Sequence, residues 1–204
     1  ARFQNESARI HELLHPSRAP FAGSGGDDGV VDPELKEPST NVAAYRARWC
    51  LRGDLQTEGA DYDETYSPTL TLRSVRLLAA WAAHSGLPMR GFDFQAAYLN
   101  AEAEKESYIR VPDRYSDGEV TFRRLLLNLY GGKDAGRIWH QLLVKKMMKD
   151  GYLRCAAGSC VFIKRMDVVP LAPPGVGISV VGIYSDDGIA VSVPAEADRF
   201  LSHM

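Results

Sequence analysis

The run Ile178-Ser-Val-Val-Gly-Ile-Tyr184, then Ser185-Asp186-Asp187-Gly188, then Ile189-Ala-Val-Ser-Val193, constrains the fold more than any other feature of this chain. Two β-rich apolar segments of strand length, separated by residues of turn chemistry, predict a β-hairpin. Strands this apolar must pack into a core, so the hairpin tip is held in place. Two adjacent aspartates sit at or beside that tip. Neighbouring carboxylates repel, and one of them shifts its proton affinity unless a cation compensates. A rigid carboxylate-bearing tip suits a hard divalent cation such as Mg2+, which takes oxygen ligands and keeps several waters. A third carboxylate on a neighbouring strand would complete such a site. Asp93, near the end of a short strand predicted over 89–94, is the candidate. Taken alone, the aromatic-x-Asp-Asp string also fits a solvated turn.

The remaining elements follow from periodicity. Residues 45–51 alternate arginines with bulkier side chains and predict a strand that ends at Gly53. Leu72, Val75, Leu78, Ala79 and Ala82 recur at spacings of three and four, a helix over 72–84 stopped by Gly86 and Pro88. Residues 96–100 predict a short helix, and 107–111, 120–127 and 160–164 predict strands. A second long helix spans 135–149, with Ile138, Leu142, Val144 or Lys145, and Met148 along one side and Gly151 as its terminator. Residues 1–40 read as a poorly ordered segment, broken by the Gly/Asp loop 21–29 and by Pro33 and Pro38; a short helix over 7–14 is the one element expected there.

Bulk properties narrow the class. The 204 residues are 45% hydrophobic and 25% charged, an ordinary globular profile with room for one large or two small domains. No apolar stretch is long enough to span a membrane. The first residues carry no signal core and no initiator Met, and the expectation is a piece of a longer chain. Three cysteines without CxxC spacing imply free thiols in a reducing, cytoplasmic compartment rather than a disulfide framework or a zinc site. The five histidines form no metal-binding pair. The net charge of −2 does not announce a nucleic-acid binder, but basic residues cluster at Arg46, Arg48 and Arg52, at Arg123, Arg124, Lys133 and Arg137, and at Lys145, Lys146 and Lys149.

Five segments, in order along the chain, carry a family resemblance. Tyr45-Arg46-Ala47-Arg48 with Arg52-Gly53 resembles the Lys-Ala-Arg-Leu-Val-x-Lys/Arg-Gly strand of copia-type retrotransposon reverse transcriptases. Tyr62-Asp-Glu-Thr-Tyr-Ser-Pro68 resembles their Asp-Tyr-x-Glu-Thr-Phe/Tyr-Ser-Pro signature. Phe92-Asp-Phe-Gln-Ala-Ala-Tyr-Leu-Asn100 is similar to Met-Asp-Val-Lys-Thr-Ala-Phe-Leu-Asn, and Leu129-Tyr-Gly-Gly-Lys-Asp-Ala-Gly-Arg-Ile-Trp139 to Leu-Tyr-Gly-Leu-Lys-Gln-Ala-Pro-Arg-x-Trp. Tyr184-Ser-Asp-Asp187 resembles the Tyr-x-Asp-Asp motif. Residues 1–44 take no part in the resemblance.

The resemblance implies an α+β fold, the fingers and palm of a reverse transcriptase, with an antiparallel palm sheet backed by helices. It implies fingers at about 41–87 and 104–136 and a palm at about 88–103 and 137–204, with the thumb and any ribonuclease H part absent. It implies RNA-directed DNA polymerase activity, nucleotidyl transfer from a dNTP to a primer 3′-hydroxyl on an RNA or DNA template. Asp93 and Asp186 then correspond to the carboxylates that bridge two Mg2+ ions (or Mn2+), with Asp187 as the third member and the Phe94 carbonyl as a further ligand. Tyr98 corresponds to the aromatic residue that rejects a 2′-hydroxyl. Tyr130 and Gly131 correspond to contacts of the incoming nucleotide, and Arg46 or Arg48 to the grip on its triphosphate. The family further implies assembly in virus-like particles.

Some positions depart from the pattern. Ser185 stands where a hydrophobic residue is usual; Gly132, Asp134 and Gly136 replace Leu, Gln and Pro; Ala101 replaces Gly; and Gly158 replaces Asp. The strand that normally precedes the Lys-Ala-Arg strand is not visible in residues 21–40. These departures keep open an inactive remnant with weak nucleic-acid binding. An unrelated cyclase with a similar palm lacks the Glu-Thr-Tyr-Ser-Pro and Leu-Tyr-Gly segments.

Overall fold

The computed structural model describes residues 14–15, 27–28, 30–36, 44–111, 122–166 and 177–203. The chain forms two compact units, residues 1–66 with 98–139, and residues 67–97 with 140–204. The architecture of the described residues is mixed, with three α-helices and largely antiparallel sheets. Among the described residues no helix is long and apolar enough to cross a membrane.

The second unit is built on a five-stranded antiparallel sheet. Its strands are β5 (Met89–Asp93), β8 (Leu153–Arg154), β9 (Val161–Arg165), β10 (Ile178–Tyr184) and β11 (Asp187–Val191), in the order β5-β11-β10-β9-β8. β10 lies at the centre and is buried from Ser179 to Ile183. That is why its sequence is a nearly unbroken apolar run: both faces of the strand are covered. On one face lies helix α1 (Leu72–Ser85), whose Leu78 and Ala82 pack with Val180 and Val191. Gly182 faces the same helix, and a Cβ there would come within 2.7 Å of the Leu78 side chain. On the opposite face the Tyr152 hydroxyl shares a hydrogen bond with Ser179 Oγ at 3.0 Å. The Tyr152 ring meets Phe200 of helix α3 (Pro194–His203) edge-on.

Local chemistry sets the helix limits. Thr71 caps α1 by accepting the Ser74 N–H at its side-chain oxygen. Gly86, at φ 63, ends α1, and the Leu87 N–H returns to the Ala82 carbonyl. Helix α2 (Ala135–Lys149) ends likewise at Gly151, φ 85, with Gly151 N–H to the Met148 carbonyl and Tyr152 N–H to the Met147 carbonyl. These bonds satisfy terminal carbonyls that a left-handed glycine leaves reachable. The buried stripe of α2 differs from the expectation. Ile138 is buried as predicted, but the stripe continues through Trp139, Leu143 and Met147, while Met148 is 58% exposed. Apolar residues occur around much of this helix, so periodicity alone offers two stripes one residue apart.

Among the described residues the first unit contains two smaller sheets. One orders β1 (Leu14–His15), β7 (Phe122–Leu125), β6 (Tyr108–Arg110) and β2 (Asp27–Asp28) as β1-β7-β6-β2. The other pairs β3 (Val30–Lys36) with β4 (Ala44–Cys50) over their full length, Val30 opposite Cys50 and Lys36 opposite Ala44. β3 is thus a strand preceding the arginine strand, within a segment where the sequence showed none. Pro33 conceals it: proline lacks the N–H that a central strand needs, but an edge strand tolerates it. The helix expected over 7–14 lies outside the described residues except for Leu14, which is in β1. Leu51, Ile109, Leu125 and Leu129 form the core of this unit. Cys50, Cys155 and Cys160 form no disulfide among the described residues.

Candidate functional site

The three aspartates gather at one end of the central sheet. β10 and β11 pair as far as Tyr184 and Asp187, leaving a two-residue turn of Ser185 and Asp186. The second strand therefore begins at Asp187, two residues before the expected Ile189. A two-residue loop lets the ladder close completely, and such loops need a left-handed residue; Ser185 supplies it at φ 57. Asp187 is consequently a strand residue, and β11 pairs it directly with Asp93 on β5. Asp186 stays in the turn, where its carbonyl accepts the Phe94 N–H at 2.7 Å. Backbone register thus brings Asp93 and Asp187 opposite one another and ties Phe94, the residue after Asp93, to the turn that holds Asp186.

Asp93 and Asp187 are exposed and Asp186 is half-buried. Like charges directly opposite across a strand pair are destabilising, and among the described residues no lysine or arginine forms an ion pair with any of the three. Their oxygens are the donor type that a hard divalent cation takes. As the side chains stand, however, no three carboxylate, imidazole or thiol groups among the described residues converge closely enough to hold a metal ion.

The back of this sheet is braced by charge. Arg199 of α3 grips Asp150 with two bonds, 2.9 and 2.8 Å, and Glu196 with two more, 2.7 and 2.6 Å. Lys164 lies 3.4 Å from Glu196 and 3.7 Å from Asp150. The Arg199 guanidinium holds the Glu196 carboxyl below its ordinary value, and burial pushes the Tyr152 hydroxyl up to about 12.

In the first unit, Tyr98 lies in the 3₁₀ turn Ala97–Asn100, and its ring stands edge-on to Tyr130, centroids 4.9 Å apart. Gly131 has φ 86, and a Cβ there would lie 2.2 Å from the Leu51 carbonyl oxygen. Gly53 approaches from the other side: its Cβ would be 2.0 Å from the Gly131 oxygen. In the sequence Gly53 ends a strand and belongs to the first motif; its spacing from Gly131 gives no local clue to the contact. The Leu51 N–H donates to the Tyr130 carbonyl at 2.7 Å, which fixes this crossing. Arg46 and Arg48 lie in β4 with Glu34 and Asp32 as register partners.

Two of the sequence motifs meet here. Arg137 Nε donates to the Glu64 carbonyl at 2.8 Å, and the Lys133 ammonium lies over the Tyr62 ring. Asp134, a departure from the family pattern, is buried just before α2, where its carbonyl accepts the Ile138 N–H. An aspartate at a helix start is favourable, although burial raises its carboxyl. A surface cavity of about 430 Å³ lined by Glu102 to Glu106 and Arg124 to Leu127 contains none of the predicted site residues.

Comparison with known proteins adds an independent line. Residues 33–197 match the family described as reverse transcriptase (RNA-dependent DNA polymerase). The chain is 30% identical over 132 residues to the retrovirus-related Pol polyprotein from transposon TNT 1-94 of Nicotiana tabacum, covering 64% of this chain and 10% of that polyprotein. It is 29% identical over 121 residues to the Pol polyprotein from transposon RE2 of Arabidopsis thaliana, 58% of this chain and 8% of the relative. It is also 29% identical over 124 residues to the transposon Ty1-H Gag-Pol polyprotein of Saccharomyces cerevisiae, 58% of this chain and 7% of the relative. The chain spans about a tenth or less of the length of these relatives. With the order of its five motifs and the match over most of its length, the chain belongs to the reverse transcriptase family, in its Ty1/copia retrotransposon branch.

Proposed function

We propose that this chain carries the fingers and palm of an RNA-directed DNA polymerase, adding nucleotides from dNTPs to a primer 3′-hydroxyl on an RNA or DNA template. In this reading the palm spans about 88–103 and 137–204 and the fingers about 41–87 and 104–136. The observation that carries the reading is the direct pairing of Asp93 with Asp187 beside a turn that holds Asp186. Carboxylates directly opposite one another on paired strands repel, a cost that a divalent cation would offset.

In this reading Asp93, Asp186 and Asp187 hold Mg2+ or Mn2+, with the Phe94 carbonyl as a further ligand. Cations bound there supply charge stabilisation at both the attacking and leaving oxygens of an in-line displacement. Tyr98 selects deoxyribose by a clash with a 2′-hydroxyl, a device aimed at the wrong substrate. Tyr130 and Gly131 contact the incoming nucleotide, and Arg46 and Arg48 offer charged donors to its triphosphate.

A second reading, a catalytically silent remnant that binds nucleic acid through its basic clusters, draws on one observation: the three carboxylates do not converge as they stand. Primer extension on an RNA template with Mg2+ and dNTPs separates the two. Extension that depends on template and is abolished by Asp186→Ala supports the polymerase. No extension from folded protein overturns it in favour of the remnant.

A further inference from the structure

We propose that Phe92 is a positioning residue for the Asp93–Asp187 pair, setting the spacing of their two strands by occupying the side-chain space of Gly188. The proposal rests on reading those aspartates as metal ligands. Phe92 and Gly188 are register partners across β5 and β11, in the row next to Asp93 and Asp187. A Cβ on Gly188 would fall 2.1, 2.4 and 2.8 Å from three atoms at the tip of the Phe92 ring. Gly188 has no left-handed φ, so backbone conformation does not require glycine there. The ring does. Each partner of this interlock is one residue from a carboxylate, and successive side chains alternate faces. The ring and the carboxylates therefore lie on opposite sides of the same two strands.

β5 needs such a device, because among the described residues it is an edge strand with β11 as its one partner. Phe92 is itself fixed from two directions. Its ring stands edge-on to Phe94 and to Phe200, 5.3 Å between centroids in each case. Phe200 leans on Tyr152, whose hydroxyl is bonded to Ser179 of the central strand. Arg90, two residues before Phe92, pairs with Asp198 of α3. A row of aromatic rings thus runs from the middle of the sheet to the carboxylate-bearing edge. Groups behind metal ligands govern affinity by holding those ligands in place.

The test is Mn2+ binding by the full chain, read by electron paramagnetic resonance without primer or dNTP, beside urea unfolding of each variant. Gly188→Ala is expected to weaken Mn2+ binding about tenfold. Adding Phe92→Leu, which withdraws the ring tip, is expected to recover most of that loss. Phe92→Leu alone, the variant least apt to disturb folding, is expected to weaken binding several-fold by leaving the spacing unfilled. Folded Gly188→Ala and Phe92→Leu proteins that bind Mn2+ as the parent does, while Asp187→Asn does not bind it, overturn the positioning role. Mn2+ binding that survives both Asp93→Asn and Asp187→Asn overturns the metal-ligand reading, and the proposal with it.

Discussion

The crossing of Gly53 and Gly131 permits a quantitative test, because two different penalties act there and other glycines isolate each one. Gly131→Ala combines them. Its φ of 86 is a left-handed conformation, which costs a non-glycine residue about 1–2 kcal/mol. Its new Cβ would also lie 2.2 Å from the Leu51 oxygen and 3.1 Å from the Leu51 nitrogen. Both are backbone atoms that cannot swing aside, and Leu51 is buried in the core with Ile109, Leu125 and Leu129. Forcing matter into such a site costs about 1–3 kcal/mol. The expected total is about 2–5 kcal/mol, a large part of the ~5–15 kcal/mol that holds a domain folded. Gly59→Ala carries the conformational penalty alone, since Gly59 has φ 84 and nothing within 4 Å of the added carbon. Gly53→Ala carries the steric penalty alone: its φ is not left-handed, and its Cβ would meet the Gly131 oxygen at 2.0 Å. Urea unfolding of the three variants should rank Gly131→Ala as the most destabilised. If it unfolds at the same urea concentration as Gly59→Ala, the two backbones do not cross closely and the account of this site is wrong.

Four further outcomes follow from particular contacts. Ser185→Gly should raise stability by about 0.5–1 kcal/mol, because glycine adopts the φ of 57 without strain and loses part of that gain to its freer unfolded chain; a lower melting temperature would contradict the turn geometry. Tyr152→Phe should cost about 1–2 kcal/mol in chemical denaturation, since it leaves Ser179, which is 1% exposed, without that partner. Acid unfolding should report Glu196. Its folded-state proton affinity is lowered by Arg199, so its contribution is present above an ordinary glutamate's 4.5 and is lost as pH falls through the lower folded value. Glu196→Gln should flatten that limb of the stability–pH curve, and an unchanged curve would refute the linkage. Arg137→Lys should loosen the tie between the two motif segments, because lysine cannot serve the Glu64 carbonyl and the Glu104 carboxylate together as the guanidinium does; hydrogen exchange around Glu64 should rise.

Local signals in the sequence are legible where one physical cause dominates. The apolar runs of β10 and β11 announce a buried hairpin because a central strand has no solvent face to display. Gly86 and Gly151 announce helix ends because left-handed closure there all but requires glycine. Elsewhere causes competed. Pro33 argued against a strand that an edge position permits, and the turn chemistry of Asp187 argued against a residue that the ladder in fact pairs. Helix α2 presents apolar residues on two neighbouring stripes, and burial chose Leu143 and Met147 over Leu142 and Met148.

By itself, the sequence determined the family, the order of the motifs and the main elements, since each of these is written in residue type and short-range spacing. Only the tertiary structure decided which aspartates face each other, why Gly188 and Gly53 have no side chains, and which segments share a unit. Those properties depend on pairing between residues tens of positions apart, such as Asp93 with Asp187 and Gly53 with Gly131. Such partners are selected by the packing of the whole fold, and no local pattern at either end records the choice.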